Sequence, residues 1–120
     1  MPATVTLFVY GTLKRGCRNH GTIREAEFVG EAATESAYML VNCGSYPGLV
    51  RAPNGQAGSS IRGELYRVNE RWLAALDRFE NVPVEYVRKT IRLSNGNEAE
   101  TYFYALPVAG LEVCGEEWIE

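Results

Sequence analysis

Histidine and cysteine are scarce in this chain. Its 120 residues hold one histidine and three cysteines. Cys17, Cys43 and Cys114 are odd in number and far apart in sequence, which argues against a disulfide framework and for a reducing compartment. Long apolar runs are missing as well. No stretch reaches the roughly 20 residues that a bilayer-spanning helix needs, and no basic segment leads into an apolar core at the start. The expectation is a cytoplasmic protein without a membrane partner. Positive charge is not in excess either: the formal net charge of -3 supplies no electrostatic case for nucleic acid. Repeats and low-complexity segments are absent.

What is present is ordinary for one folded unit. Hydrophobic residues make up 46% and charged residues 22%, which excludes wholesale disorder. A chain of this length forms one domain, residues 1–120, with a single core.

The most informative stretch is Leu7-Phe8-Val9-Tyr10-Gly11-Thr12-Leu13-Lys14-Arg15-Gly16. Consecutive apolar and aromatic residues predict a strand buried on both faces, with Val5, Leu7 and Val9 on one and Thr6, Phe8 and Tyr10 on the other. Gly11 then breaks it, where the backbone can turn and leave amides unpaired for an anion. Gly11 and Gly16 have the spacing of a nucleotide-binding P-loop, but Cys17 and Arg18 follow instead of Lys and Ser/Thr, so that reading is rejected. Cys17 and His20 lack the further ligands a zinc site requires, and His20 reads as a loop residue or an anchor for the turn.

Further along, residues 20–28 suggest a short helix capped by Thr22. Residues 28–32 and 36–41 read as strands, residues 52–59 as a surface loop, and residues 61–68 as a strand containing Gly63. The clearest helix starts at Asn69, a good N-cap. Trp72, Leu73, Leu76 and Phe79 recur at helical spacing before Asn81 and Pro83 stop it. Residues 86–93 and 98–106 flank Ser94-Asn95-Gly96-Asn97, a strong hairpin signal. Many strands and one good helix predict an α+β domain, with a mixed, barrel-like sheet and the helix closing one side.

Helical geometry singles out one carboxylate. At about 100° per residue, Glu80 points within about 50° of the centre of the apolar stripe, whereas Asp77 lies on its flank. A carboxyl at an apolar helix end is partly desolvated, which raises its pKa and suits general acid or base work. Two readings stay open: such a base, or a structural partner of backbone amides or of Arg62, Arg67 or Arg88. In the last third, Tyr86, Arg88, Tyr102 and Tyr104 either pack across strands or line a polar pocket.

Taken in order, Phe8-Val9-Tyr10-Gly11-Thr12-Leu13-Lys14-Arg15-Gly16, Gly44-Ser45-Tyr46-Pro47-Gly48, Gly63-Glu64-Leu65-Tyr66, Leu76-Asp77-Arg78-Phe79-Glu80 and Glu85-Tyr86-Val87-Arg88 resemble the γ-glutamylcyclotransferase-like superfamily. Within it, the chain is most similar to the γ-glutamylamine cyclotransferase branch. The resemblance implies a cavity beside the first glycine loop and a cofactor-independent reaction. In that reaction the α-amine of an L-γ-glutamyl group attacks its own γ-carbonyl, releasing 5-oxoproline and an amine or amino acid. It implies that Tyr10, Gly11, Thr12 and Leu13 hold the glutamyl group, with Tyr46 and Arg88 as further substrate contacts, and that Glu80 transfers the proton. Glu64 competes for that last role. The alternative is a non-catalytic module that binds a small amino-acid-like metabolite in the same cavity.

Overall fold

The computed structural model describes residues 3–54 and 56–120; Gly55, in the expected loop at residues 52–59, lies outside the described residues. Strand β1 (Thr4–Val9) is the spine. It pairs antiparallel with β5 (Arg62–Asn69) and parallel with β7 (Glu98–Tyr104). Beyond β5 lies β2 (Glu27–Ala33), and β6 (Tyr86–Arg92) runs antiparallel along the whole of β7. The hairpin of β3 (Tyr38–Asn42) and β4 (Pro47–Arg51) joins β7 through β4. The domain is therefore α+β, with a mixed sheet of seven strands and one α-helix, α1 (Glu70–Phe79).

Two features curl this sheet. A bridge between Thr34 and Leu93 links the end of β2 back to the end of β6, so that β6, β7, β1, β5 and β2 follow one another around a ring. In addition, β6 occupies one edge of β7, so β1 and β4 must share the other. β1 takes it at Glu100 and β4 at Phe103. The sheet forks there.

Both faces of β1 are buried. Leu7 and Val9 pack with Leu73 and Leu76 of α1, while Phe8 and Tyr10 pack with Leu40, Leu49 and Ile91. Burying a side chain of this size is worth roughly 1.5–3 kcal/mol, so the alternating pattern holds the register firmly. Gly63 is what lets β5 lie close to β1, since a Cβ there would come within 2.4 Å of the Val9 carbonyl oxygen.

The helix begins at Asn69, whose side chain accepts a hydrogen bond from the Trp72 amide at 2.7 Å, as expected of an N-cap. It ends at Phe79, and two residues on Asn81 turns the chain into the left-handed region at φ 56°. Phe79 departs from expectation: it is 48% exposed, because it sits at the rim of a cavity rather than in the core.

The helix expected over residues 20–28 is only a 3-10 turn, His20–Thr22, and the Thr22 side chain caps nothing. Ile23 is fully buried and the Thr22 carbonyl accepts from the Trp72 indole, which pulls the chain under α1 after a single turn. The final segment, 112–120, forms a strap across the sheet. Its backbone is held by amides of Asn42 and Arg62, and the carbonyl of Trp118 accepts from the buried Lys14 ammonium at 2.6 Å.

Candidate functional site

A cavity of about 410 Å³ opens where the sheet forks. Its floor is the end of β1 and the loop beyond it, Val9 to Leu13. One side is built from the C-terminal end of α1 with Glu80, Glu85 and Tyr86, and another from the β3–β4 turn with Ser45, Tyr46 and Pro47. Tyr102 from β7 and the loop residues Arg18 and Asn19 complete the wall. No helix of the described residues is long and apolar enough to cross a membrane.

Tyr10 keys the fork. Its hydroxyl donates to the Tyr102 carbonyl at 2.6 Å and accepts from the Leu49 amide at 3.1 Å, so one side chain stitches β1, β7 and β4 together. Gly11 follows, and a Cβ on it would stand 2.8 Å from Cγ of Pro47. Only glycine lets the loop approach the β3–β4 turn so closely. The loop then folds back: Lys14 donates its amide to the Gly11 carbonyl, Asn19 binds Thr12 through both main chain and side chain, and Nδ1 of His20 lies 2.9 Å from the Leu13 carbonyl oxygen. Among the described residues, the amides of Gly11, Thr12 and Leu13 donate to no protein acceptor. Three successive free amides beside a cavity form an anion-binding arrangement.

Glu80 is the last residue before the reversal at Asn81, and its carboxylate accepts no hydrogen bond from the described residues. Burial, and secondarily the charge of Glu85, raise its carboxyl to about 7. The structural partners that sequence geometry left open are not taken up, because the arginine nearest in kind is committed elsewhere. Arg88 donates to both oxygens of Asp77, at 2.9 and 3.1 Å, and binds Glu100. Asp77 accepts from the Tyr102 hydroxyl as well, at 2.7 Å. Burial alone would lift the Asp77 carboxyl, but these hydrogen bonds and the Arg88 charge outweigh it and hold the group below its usual range.

The structure thus gathers Tyr10, Gly11, Thr12, Leu13, Tyr46 and Glu80 around one cavity. Arg88, expected as a further substrate contact, is not among the lining residues. On β6 its side chain meets α1 and β7 instead, bracing the helix that carries Glu80. Glu64 also lies elsewhere: it accepts from the Arg15 amide and the Tyr66 hydroxyl, both at 2.9 Å, and pairs with the Arg15 guanidinium.

The sheet fold, with a solved relative, and the sequence agree on kinship. A crystal structure of an AIG2-like protein from Mus musculus superposes with a TM-score of 0.74 at 29% identity, covering 94% of this chain and 87% of that one. The profile described as gamma-glutamyl cyclotransferase, AIG2-like, matches residues 7–120. The chain belongs to this family. A Vibrio cholerae relative, provisionally named as a gamma-glutamylcyclotransferase, is 43% identical over 98 residues, covering 82% of this chain and 80% of its own length. The gamma-glutamylaminecyclotransferase of Homo sapiens is 40% identical over 94 residues, which is 72% of this chain and 60% of the human protein. An enzyme of the gamma-glutamylcyclotransferase family is what these relatives support.

Two lining residues of this family member escaped the sequence reading. Glu85 receives the Tyr46 hydroxyl hydrogen bond, which together with burial raises the Tyr46 phenol to about 12. Its place in Glu85-Tyr86-Val87-Arg88 marked kinship but no chemistry. Arg18 stands where a P-loop would need Ser or Thr, and no local pattern distinguishes it from a solvated loop arginine.

Proposed function

We propose that the chain is a γ-glutamyl cyclotransferase acting on an L-γ-glutamyl amine or amino-acid conjugate. The observation that carries this reading is Glu80. It is a carboxyl raised to about 7 that accepts no hydrogen bond from the described residues, in a cavity also lined by three amides that donate to none of them.

The amides of Gly11, Thr12 and Leu13 receive the substrate's α-carboxylate. The α-amine, protonated with an ordinary pKa of about 8, then passes its proton to Glu80, a base of nearly matched strength. The freed nitrogen attacks the γ-carbonyl carbon to close a five-membered ring. As the γ-carbon to nitrogen bond of the conjugate breaks, Glu80 returns that proton to the departing nitrogen, then takes the second proton from the ring nitrogen and passes it to the freed amine, which leaves as an ammonium while 5-oxoproline remains. Atoms and charge balance without a cofactor. Holding both reacting groups in one cavity supplies the proximity that such a closure exploits.

The oxyanion on the γ-carbonyl needs a donor, and the tyrosines are spent. Tyr10, Tyr86 and Tyr102 donate to Tyr102, Pro47 and Asp77, and Tyr46 donates to Glu85. One loop amide is assigned to the oxyanion in the transition state, shared with the α-carboxylate that the other two hold.

The test is 5-oxoproline release from a panel including γ-glutamyl-ε-lysine and γ-glutamyl-alanine, comparing wild type with Glu80→Gln. Turnover by the wild type that falls on the order of 10²–10⁴-fold in the variant is expected. Binding of panel members without any turnover by the wild type would replace the enzyme with a non-catalytic binding module.

A further inference from the structure

Charge is distributed unevenly around the cavity. Two carboxylates, Glu80 and Glu85, stand on one side, and among the described lining residues Arg18 is the only basic one. Arg18 is held next to the free amides by the fold-back of the loop, because its neighbour Asn19 binds Thr12 through main chain and side chain alike. The last turn of the strap fixes it further. Glu120 accepts from the Arg18 amide at 2.8 Å and places its other carboxylate oxygen 3.6 Å from Nε of Arg18. Glu120 is itself oriented by the Trp118 indole, which donates to it at 2.9 Å.

This arrangement leaves the guanidinium half used. Its terminal nitrogens donate no hydrogen bond to the described residues. A planar guanidinium presents a fork matched to a carboxylate, and one engaged through Nε keeps donors for a second. Resting on the cyclotransferase reading above, we propose that Arg18 is a leaving-group subsite selecting conjugates whose departing amine carries a carboxylate, and that Glu120 positions it. The substrate's glutamyl carboxylate is already served by the loop amides and its amine by Glu80. The other charged lining residues, Glu80 and Glu85, are acidic and do not attract an anion. Of the charged groups in the wall, only Arg18 attracts a second carboxylate on the substrate.

The deciding comparison uses two ligands that differ in that one carboxylate, γ-glutamyl-glycine and γ-glutamyl-propylamide. Their dissociation constants are measured by calorimetry in Glu80→Gln, where ligand is not consumed, and again after adding Arg18→Gln or Arg18→Lys. The expected result is a roughly tenfold preference for the glycine conjugate. That preference falls to near unity with Arg18→Gln and is partly restored with Arg18→Lys. Glu120→Gln, in the same background, erodes it by a few-fold and makes it more sensitive to salt. An equal preference with and without Arg18 overturns the subsite, as does an equal weakening of both ligands, which would assign Arg18 to the shared glutamyl group. A stronger affinity for a cationic conjugate such as γ-glutamyl-ε-lysine methyl ester would also overturn it. Release of 5-oxoproline by the wild type is scored separately, so a selective cavity with no turnover sinks the reaction and leaves the subsite standing.

Discussion

Glu85 lines the same cavity as Glu80, and its negative charge adds to burial in lifting the Glu80 carboxyl to about 7. A base must be ionised before it can accept the substrate's proton, so kcat/KM falls as pH drops through about 7. Glu85→Gln removes the neighbouring charge and moves the midpoint of that limb to lower pH. Profiles of kcat/KM against pH for the two proteins check this; superimposable acidic limbs would show that the second carboxylate has no influence.

The same raised value affects folding. Because the folded value exceeds the unfolded one of about 4.3, ionisation favours the unfolded chain. The resulting loss of stability is absent below about pH 4, grows as pH rises, and is complete above about 7. Glu80→Gln is therefore more stable than wild type at pH 8, by about 3–4 kcal/mol, with the gain vanishing towards pH 4. Urea denaturation at both pH values measures it, and a gain that ignores pH would point to packing instead.

The brace beneath the helix has the opposite sign. Asp77 is held below its usual range by its partners, so its contribution is present at neutral pH and disappears as pH falls through its folded value. Arg88→Met leaves Asp77 with the Tyr102 hydroxyl alone and costs about 1–3 kcal/mol at pH 7, less at pH 3. Tyr102→Phe costs about 1 kcal/mol at neutral pH and keeps the cavity wall. Chemical denaturation of each variant decides; a wild-type midpoint for Arg88→Met would mean that the ion pairs contribute nothing.

Two glycines separate stability from binding. Gly63→Ala drives a methyl group against the Val9 carbonyl and the Phe8 ring between two central strands. It costs about 1–3 kcal/mol, seen as a lowered melting temperature. Gly11→Ala meets only the Pro47 ring at the cavity edge. Its larger effect is on KM, because the loop must back away from the turn and the three amides move with it. Equal KM values for Gly11→Ala and wild type would remove the loop from the binding site.

Lys14 ties the loop to the strap. Its ammonium donates to the Trp118 carbonyl at 2.6 Å and lies 3.9 Å from a Glu117 carboxylate oxygen. Lys14→Met releases the strap, and hydrogen exchange at the Arg62 amide, which donates to the Glu116 carbonyl, speeds up. The Leu93 amide of the β6–β7 turn, bonded to Asn97, serves as the internal control. Parallel changes at both amides would indicate general destabilisation.

Local chemistry determined a great deal here. The Asn69 cap, the apolar period of Trp72, Leu73 and Leu76, the Asn95-Gly96 turn and the two-faced burial of β1 all follow from preferences that act over a few residues, and so does the inward aim of Glu80. Its raised pKa also followed, since a carboxyl on an apolar stripe is desolvated wherever that stripe docks. Tertiary structure decided the rest. The fork of β7, keyed by the Tyr10 hydroxyl, makes the cavity, and it joins β1, β4 and β7, which are distant in sequence. Arg88 shares a strand face with Tyr86, yet long-range packing set Asp77 and Glu100 against it. Glu85 and Arg18 gained their places for the same reason: a turn and a folded-back loop brought them to a wall built by other segments, and no spacing along the chain records which walls will meet.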